Sequence, residues 1–147
     1  MQLNVKRTDP RAVLPTYATP GAACFDIYPT DFEYDEKINA VIFETDLIFE
    51  IPEGYALMIY SRSGQGFKND TRLSNCVGVI DSDYTGAVKV KLVCDRPTGE
   101  YPDFDMKKAI AQAMLVQAPQ AVLTEVDTVK ETARGANGFG STDNKKA

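Results

Sequence analysis

An all-β sandwich, jelly roll or barrel is the fold class predicted for this chain, and three observations predict it. Short apolar stretches alternate with period two, Pro and Gly separate them at short spacing, and no sustained helical periodicity competes. The chain has 147 residues, enough for one ordinary core and too few for two. Hydrophobic residues at 44% and charged residues at 25% suit a folded globular domain.

The elements follow in order. Leu47, Phe49 and Ile51 share one face of an alternating strand with Asp46 and Glu50 turned away, and Pro52-Glu53-Gly54 turns the chain. Residues 55–60 (YALMIY) then read as a buried strand. Residues 77–80 and the alternating residues 88–92 flank the turn-rich Asp81-Ser82-Asp83-Tyr84-Thr85-Gly86, a pattern that predicts a hairpin. Pro97, Gly99 and Pro102 mark a loop over residues 95–105. Residues 106–116 are rich in helix formers, yet Ile110, Gln112, Met114 and Val116 also alternate, so local propensity leaves helix and strand open. Residues 122–126 are β-branched enough for a last strand. From residue 133 onward the sequence is Gly-rich and polar, with Phe139 as its one bulky apolar side chain, and predicts a mobile tail unless a ligand or partner orders it.

Composition excludes several function classes. The chain contains no His, which removes Ser-His and Cys-His nucleophile pairs and every imidazole metal site. A net charge of −5 repels polyanions, so no nucleic-acid partner is expected. The longest unbroken apolar run is six residues, far below the roughly 20 needed to cross a bilayer, and the N-terminal stretch lacks an apolar signal region. No membrane partner is expected, and a soluble, cytoplasmic protein is. Cys24, Cys76 and Cys94 are widely spaced with apolar neighbours, which predicts buried thiols in a reducing compartment.

Three polar clusters place charge beside Gly, where backbone can approach a ligand closely. In Ser61-Arg62-Ser63-Gly64-Gln65-Gly66-Phe67-Lys68, N–H groups and hydroxyls could face an anion while Arg62 forks onto phosphate oxygens; a plain Ser/Gly loop accounts for the same composition. Residues 75–86 (NCVGVIDSDYTG) combine two carboxylates and a Tyr at a hairpin tip, although Asp, Ser and Gly favour turns for local reasons alone. In residues 134–142 (RGANGFGST), Phe139 could stack on a base while Arg134 holds phosphate, and a frayed terminus is the alternative.

In this order the clusters resemble the five motifs of the trimeric dUTPase family, which splits dUTP into dUMP and pyrophosphate. Motif one corresponds to residues 20–27 (PGAACFDI), motif two to residues 61–64 (SRSG) and motif three to residues 75–86. Motif four corresponds to residues 109–112 (AIAQ) and motif five to residues 134–142. The similarity spans residues 20–142, and motifs three and five are specific in sequence and separation.

The resemblance implies a jelly-roll-like β-barrel or sandwich over residues 1–132, with a Gly-rich C-terminal arm, residues 133–147, closing over the active site. It implies a homotrimer with sites at subunit interfaces, and a strand over residues 110–116. Asn75 and the backbone of Val79, Ile80, Asp81 and Lys89 would bind the uracil edge, where buried groups left unpaired by cytosine give discrimination of about 10⁴ to 10⁵. Tyr84 would lie under the deoxyribose and exclude a 2′-hydroxyl. Asp81 would be the general base for water attack on the α-phosphorus. Asp26 would hold, through water, a Mg²⁺ carried mainly by the triphosphate. Arg62, Ser63 and the Gly64 N–H would grip the phosphate chain with Gln112. Arg134 and Ser141 would hold the γ-phosphate, with Phe139 on the base and Gly140 N–H assisting. The implied role is to keep uracil out of DNA and to supply dUMP for dTMP synthesis.

Four positions depart from the family pattern: Ala109 in place of Arg, Ser61 in place of Pro, Gln65 in place of an aliphatic residue, and Asp143 in place of Gly. The related dCTP deaminase family is the enzymatic alternative, and it generally lacks a motif-five arm. A nucleotide-binding protein acting through a partner is the non-enzymatic one.

Overall fold

A computed structural model describes residues 1–97 and 104–141. The strands are β1 (Asn4–Arg7), β2 (Phe25–Ile27), β3 (Asp31–Asp35), β4 (Ala40–Glu44), β5 (Leu47–Glu50) and β6 (Tyr55–Tyr60). They continue after a short helix, α1 (Ser63–Asn69), as β7 (Thr71–Leu73), β8 (Val77–Ile80), β9 (Lys89–Cys94) and β10 (Ala111–Gln117). One four-stranded sheet has the order β2-β10-β6-β8 and a second the order β3-β4-β9-β7, with β1 and β5 forming a separate pair. All the pairings are antiparallel. The result is an all-β sandwich of the jelly-roll type.

The alternation expected from the sequence sets the core. Leu47, Phe49 and Ile51 are all buried, as are Val90, Leu92 and Cys94 along β9. Ile27, Phe43, Leu57 and Ile110 complete a fully buried centre. On the opposite face of β9, Lys89 pairs with Glu44 and Lys91 with Asp35 of the neighbouring strands. This leaves one dry and one wet face. The ambiguous segment becomes β10, where Ala111 and Ala113 are buried between β2 and β6. Burial between two partner strands overrides its helix propensity.

Four expectations are corrected. First, β8 and β9 do not form a hairpin: β8 pairs with β6 in one sheet, while β9 pairs with β4 and β7 in the other. The connecting residues 81–88 are long enough to cross between layers that pack roughly 10 Å apart. The return end is fixed, because Val88 N–H donates to Leu47 O at 2.9 Å and the Thr45 hydroxyl donates to Val88 O at 2.6 Å. Second, residues 122–126 form no strand. Val122 and Leu123 are 92% and 93% exposed, and β-branched composition without a ladder partner does not make a sheet. Third, Cys94 is buried and Cys24 half-buried, but Cys76 is exposed. It sits at φ 63°, at a turn that lifts it away from the core. Fourth, the Gly-rich stretch after β6 is helical from Ser63, although α1 buries no residue.

Beyond β10 the Ala118 N–H still bonds to Gly54 O at 2.8 Å. From residue 119 to residue 141 the chain is exposed almost throughout. Part of the expected 95–105 loop, and Thr142 and Asp143 of the motif-five region, lie outside the described residues.

Candidate active site

A cavity of about 310 Å³ opens where β8 and β9 part company, lined by Asn75, Val79, Ile80 and Lys89 together with Ile59 and Leu73. Asn75 comes from a turn, Val79 and Ile80 from β8 and Lys89 from β9, and the fold brings them together. β8 is the edge strand of its sheet, so half of its main-chain N–H and C=O groups face away from β6. Those groups can read the hydrogen-bonding edge of a flat heterocycle. Asn75 is presented by a tight turn in which Cys76 N–H donates to Leu73 O at 3.1 Å and Val77 N–H to Asn75 O at 2.7 Å. Gly78 sits opposite Ile59, where a Cβ would come within 3.1 Å of the Ile59 Cβ. The Lys89 ammonium is held by Glu44, and that hydrogen bond raises its pKa.

A second cluster unites motifs one, two and four. Gln112 of β10 stands opposite Asp26 of β2 on one side and Tyr60 of β6 on the other. Arg62, just past β6, forks onto Asp26, with Nε 3.1 Å from Oδ1 and a terminal nitrogen 3.3 Å from Oδ2. Its other terminal nitrogen donates to Ala109 O at 2.9 Å. The Asp26 side chain is 15% exposed and Arg62 35%. This charge-assisted fork fixes the direction of the guanidinium, and its remaining N–H groups can meet an anion. The Gln112 side chain donates to Ser61 O at 2.9 Å, and the Ser61 hydroxyl accepts from Leu73 N–H at 3.0 Å. Leu73 therefore ties this cluster to the wall of the 310 Å³ cavity. Ser63 and Gly64 are exposed in the first turn of α1.

Other candidates lie apart on this chain. Asp81 begins the 81–88 crossing, exposed, its carbonyl accepting from Tyr84 N–H at 3.2 Å. It faces a polar cavity of about 800 Å³ shared with Glu53, Ser82 and Asp83. Tyr84 is 46% exposed and its hydroxyl donates to Ala87 O at 3.2 Å. Arg134 bonds to Asn137 O at 2.8 Å and Ser141 N–H to Gly138 O at 3.1 Å, both local contacts. Phe139 projects fully into solvent, and Phe139 and Gly140 are at φ 51° and 84°.

Sequence reading missed Glu44 and Glu53 as neighbours of these groups. Cross-strand register brings Glu44 to Lys89, and no local signal announces it.

The thiols give a check on this geometry. Burial, and then the nearby Asp26 charge, push the Cys24 pKa up, so less thiolate is present there. Alkylation of the folded protein by iodoacetamide at neutral pH is expected to modify Cys76 first, with Cys24 and Cys94 slower, as read by peptide mass spectrometry. Early modification of Cys94 would contradict the placement of β9.

Comparison with known proteins adds the family. The dUTPase family model matches residues 11–143. A deoxyuridine 5'-triphosphate nucleotidohydrolase of Nautilia profundicola is 37% identical over 142 residues, covering 97% of this chain and 99% of the relative. One from Brucella melitensis biotype 2 is 42% identical over 136 residues, covering 88% and 83%. Among solved structures, a point mutant of the Staphylococcus bacteriophage 80alpha dUTPase with dUpNHpp aligns with a TM-score of 0.83 at 23% identity, over 96% of this chain and 98% of the phage chain. A mutant dUTPase from phage phi11 of S. aureus, described with a structural Mg(II) ion, aligns at 0.74 and 22%, over 87% and 98%. With a family match across nearly the whole length and relatives above one-third identity, this chain belongs to the dUTPase family.

Proposed function

We propose that the chain is a dUTP diphosphatase, hydrolysing dUTP to dUMP and pyrophosphate, and that the residues described above divide the work. The observation that carries the division is the convergence of Asn75, Val79, Ile80 and Lys89 on one narrow cavity at a sheet edge. Asn75 and the free main-chain groups of β8 read the uracil edge. Cytosine would bring a donor to a donor, leaving buried groups unpaired. Tyr84 supports the deoxyribose. Arg62, Ser63, Gly64 and Gln112 hold the phosphates beside the base cavity. Asp81 orients the attacking water and takes its proton, which needs no His. By this route uracil is kept out of DNA and dUMP is supplied for dTMP synthesis.

Mg²⁺ is the proposed cofactor. No group of three or more Asp, Glu, Cys or His side chains among the described residues could hold a metal unaided. A cation carried by the triphosphate fits that arrangement, with the Asp26 carboxylate reaching its hydration shell. When bound, such a cation neutralises phosphate charge. Arg62 contributes to the same task, and its fork onto Asp26 sets where that carboxylate points.

The proposed assembly is a homotrimer with interfacial sites, in which residues 1–132 form the barrel and residues 133–147 an arm that closes over a site. Two observations support it. Among the described residues, Arg134 and Ser141 make only local hydrogen bonds, and Asp81 faces a cavity that Arg62 does not line. Val122, Leu123 and Val129 are more than four-fifths exposed, as expected of side chains that cover a neighbour. No helix of the described residues is long and apolar enough to cross a membrane. The proposed compartment is the cytoplasm, where free thiols persist.

The test is pyrophosphate release from a panel of nucleoside triphosphates, with and without Mg²⁺, alongside the molar mass in solution. Release from dUTP with Mg²⁺, and far less from dCTP, dTTP and UTP, is expected. Ammonia from dCTP would overturn the assignment in favour of a deaminase.

A further inference from the structure

We propose that Gly86 is a specificity-determining positioning residue: it leaves the space in which the Tyr84 ring lies, and so sets discrimination between deoxyribose and ribose. The inference rests on the reading of Tyr84 as the sugar contact, and it assigns that contact's geometry to a residue that touches no substrate.

A glycine at this position is not demanded by the backbone. The glycines at positive φ among the described residues are Gly54, Gly135 and Gly140, and Gly86 is not one of them. Its φ lies outside the left-handed region that favours glycine, so space is what glycine supplies there. A Cβ built on Gly86 would lie 2.6 Å from the Tyr84 Cζ and 3.2 Å from its Cε2, and would overlap the hydroxyl outright. Carbon atoms make optimal contact at about 3.5–4.0 Å, so the ring and a methyl group cannot both occupy this place. A Cβ at Gly21, Gly54 or Gly64 meets nothing within 4 Å.

The outcome of the clash is also set by the structure. The clashing atoms are the far end of a side chain that is 46% exposed, so the ring has solvent to swing into. Among the described residues its hydroxyl bonds only to Ala87 O, at 3.2 Å, an exposed contact that offers weak resistance. The loop ends are held independently, by Val88 at Thr45 and Leu47 and by Ile80 at Leu57. Substitution at 86 therefore displaces the ring and leaves the crossing in place. A displaced ring no longer closes the space beside C2′.

The experiment is a double-mutant cycle on the full-length protein, using Gly86→Ala, Tyr84→Ala and the pair. The readout is the ratio of kcat/KM for dUTP to that for UTP. The expected result is a loss of about 10-fold or more in that ratio for Gly86→Ala, the scale of a one-group misfit in a pocket. A comparable loss is expected for Tyr84→Ala, with no further loss in the double variant. A ratio unchanged by Gly86→Ala while Tyr84→Ala lowers it overturns the role of Gly86 and leaves the sugar reading standing. Additive losses overturn it too, since Gly86 would then act without Tyr84. A ratio unmoved by Tyr84→Ala overturns the sugar reading and this inference with it. Should Gly86→Ala alone fail to fold, folding restored in the double variant supports mutual exclusion of ring and methyl, and failure in both overturns it.

Discussion

Asp81→Asn is expected to lower kcat for dUTP by about 10² to 10⁴-fold, the range for losing a general base, while dUTP still binds. The substitution keeps shape and removes charge. Asp81 is exposed at the start of the 81–88 crossing, so neither core packing nor a ladder depends on its carboxylate. A stability change is therefore not expected, and thermal unfolding of the variant should match the parent. Its neighbours Glu53 and Asp83 face the same cavity, and each is a candidate to take over the proton. Single-turnover hydrolysis together with equilibrium binding of a non-hydrolysable dUTP analogue separates chemistry from affinity. Unchanged turnover would remove Asp81 from its assigned role, and parallel Glu53→Gln and Asp83→Asn variants would then identify the carboxylate responsible.

Truncation before Arg134 is the second large effect expected, on the order of 10²-fold or more in kcat/KM with an intact fold, the scale that lost positioning of a substrate carries. The fold should survive because the described tail residues make only local hydrogen bonds and Phe139 is wholly exposed. Nothing in the sandwich leans on them. On the proposed reading the activity should fall because Arg134, Ser141 and the Gly140 N–H would be the arm's donors for phosphate, and closure would remove water from the reacting centre. Circular dichroism and molar mass check the fold, and pyrophosphate release checks the activity. Full activity in the shortened chain would reject the arm, and loss of the oligomer would move its role from closure to assembly.

Period-two patterning makes the layers readable from the sequence. Leu47, Phe49 and Ile51, and the alternation around Val90 and Leu92, announced their buried faces correctly because burial on a sheet obeys a local rule. What failed were pairings. Residues 77–80 and 88–92 look like two arms of a hairpin because turn residues lie between them. Yet partner choice depends on β4, β6 and β7, which are remote in sequence. Residues 122–126 failed for the converse reason, a strand-like composition with no ladder to join. The site was legible as motifs and not as geometry. Arg62 gripping Asp26, with Ala109 O as its third contact, follows from β2, β6 and β10 lying side by side.

The divergence of β8 and β9 into separate layers carries a mechanical consequence. On the proposed reading, a base in that cleft would be gripped by both leaves of the sandwich at once and so act as a rivet between them. Occupancy would then be felt as resistance to unfolding of the entire domain. Mass action sets its size at RT ln(1 + [L]/Kd), about 2.7 kcal/mol when free nucleotide stands at a hundred times its dissociation constant.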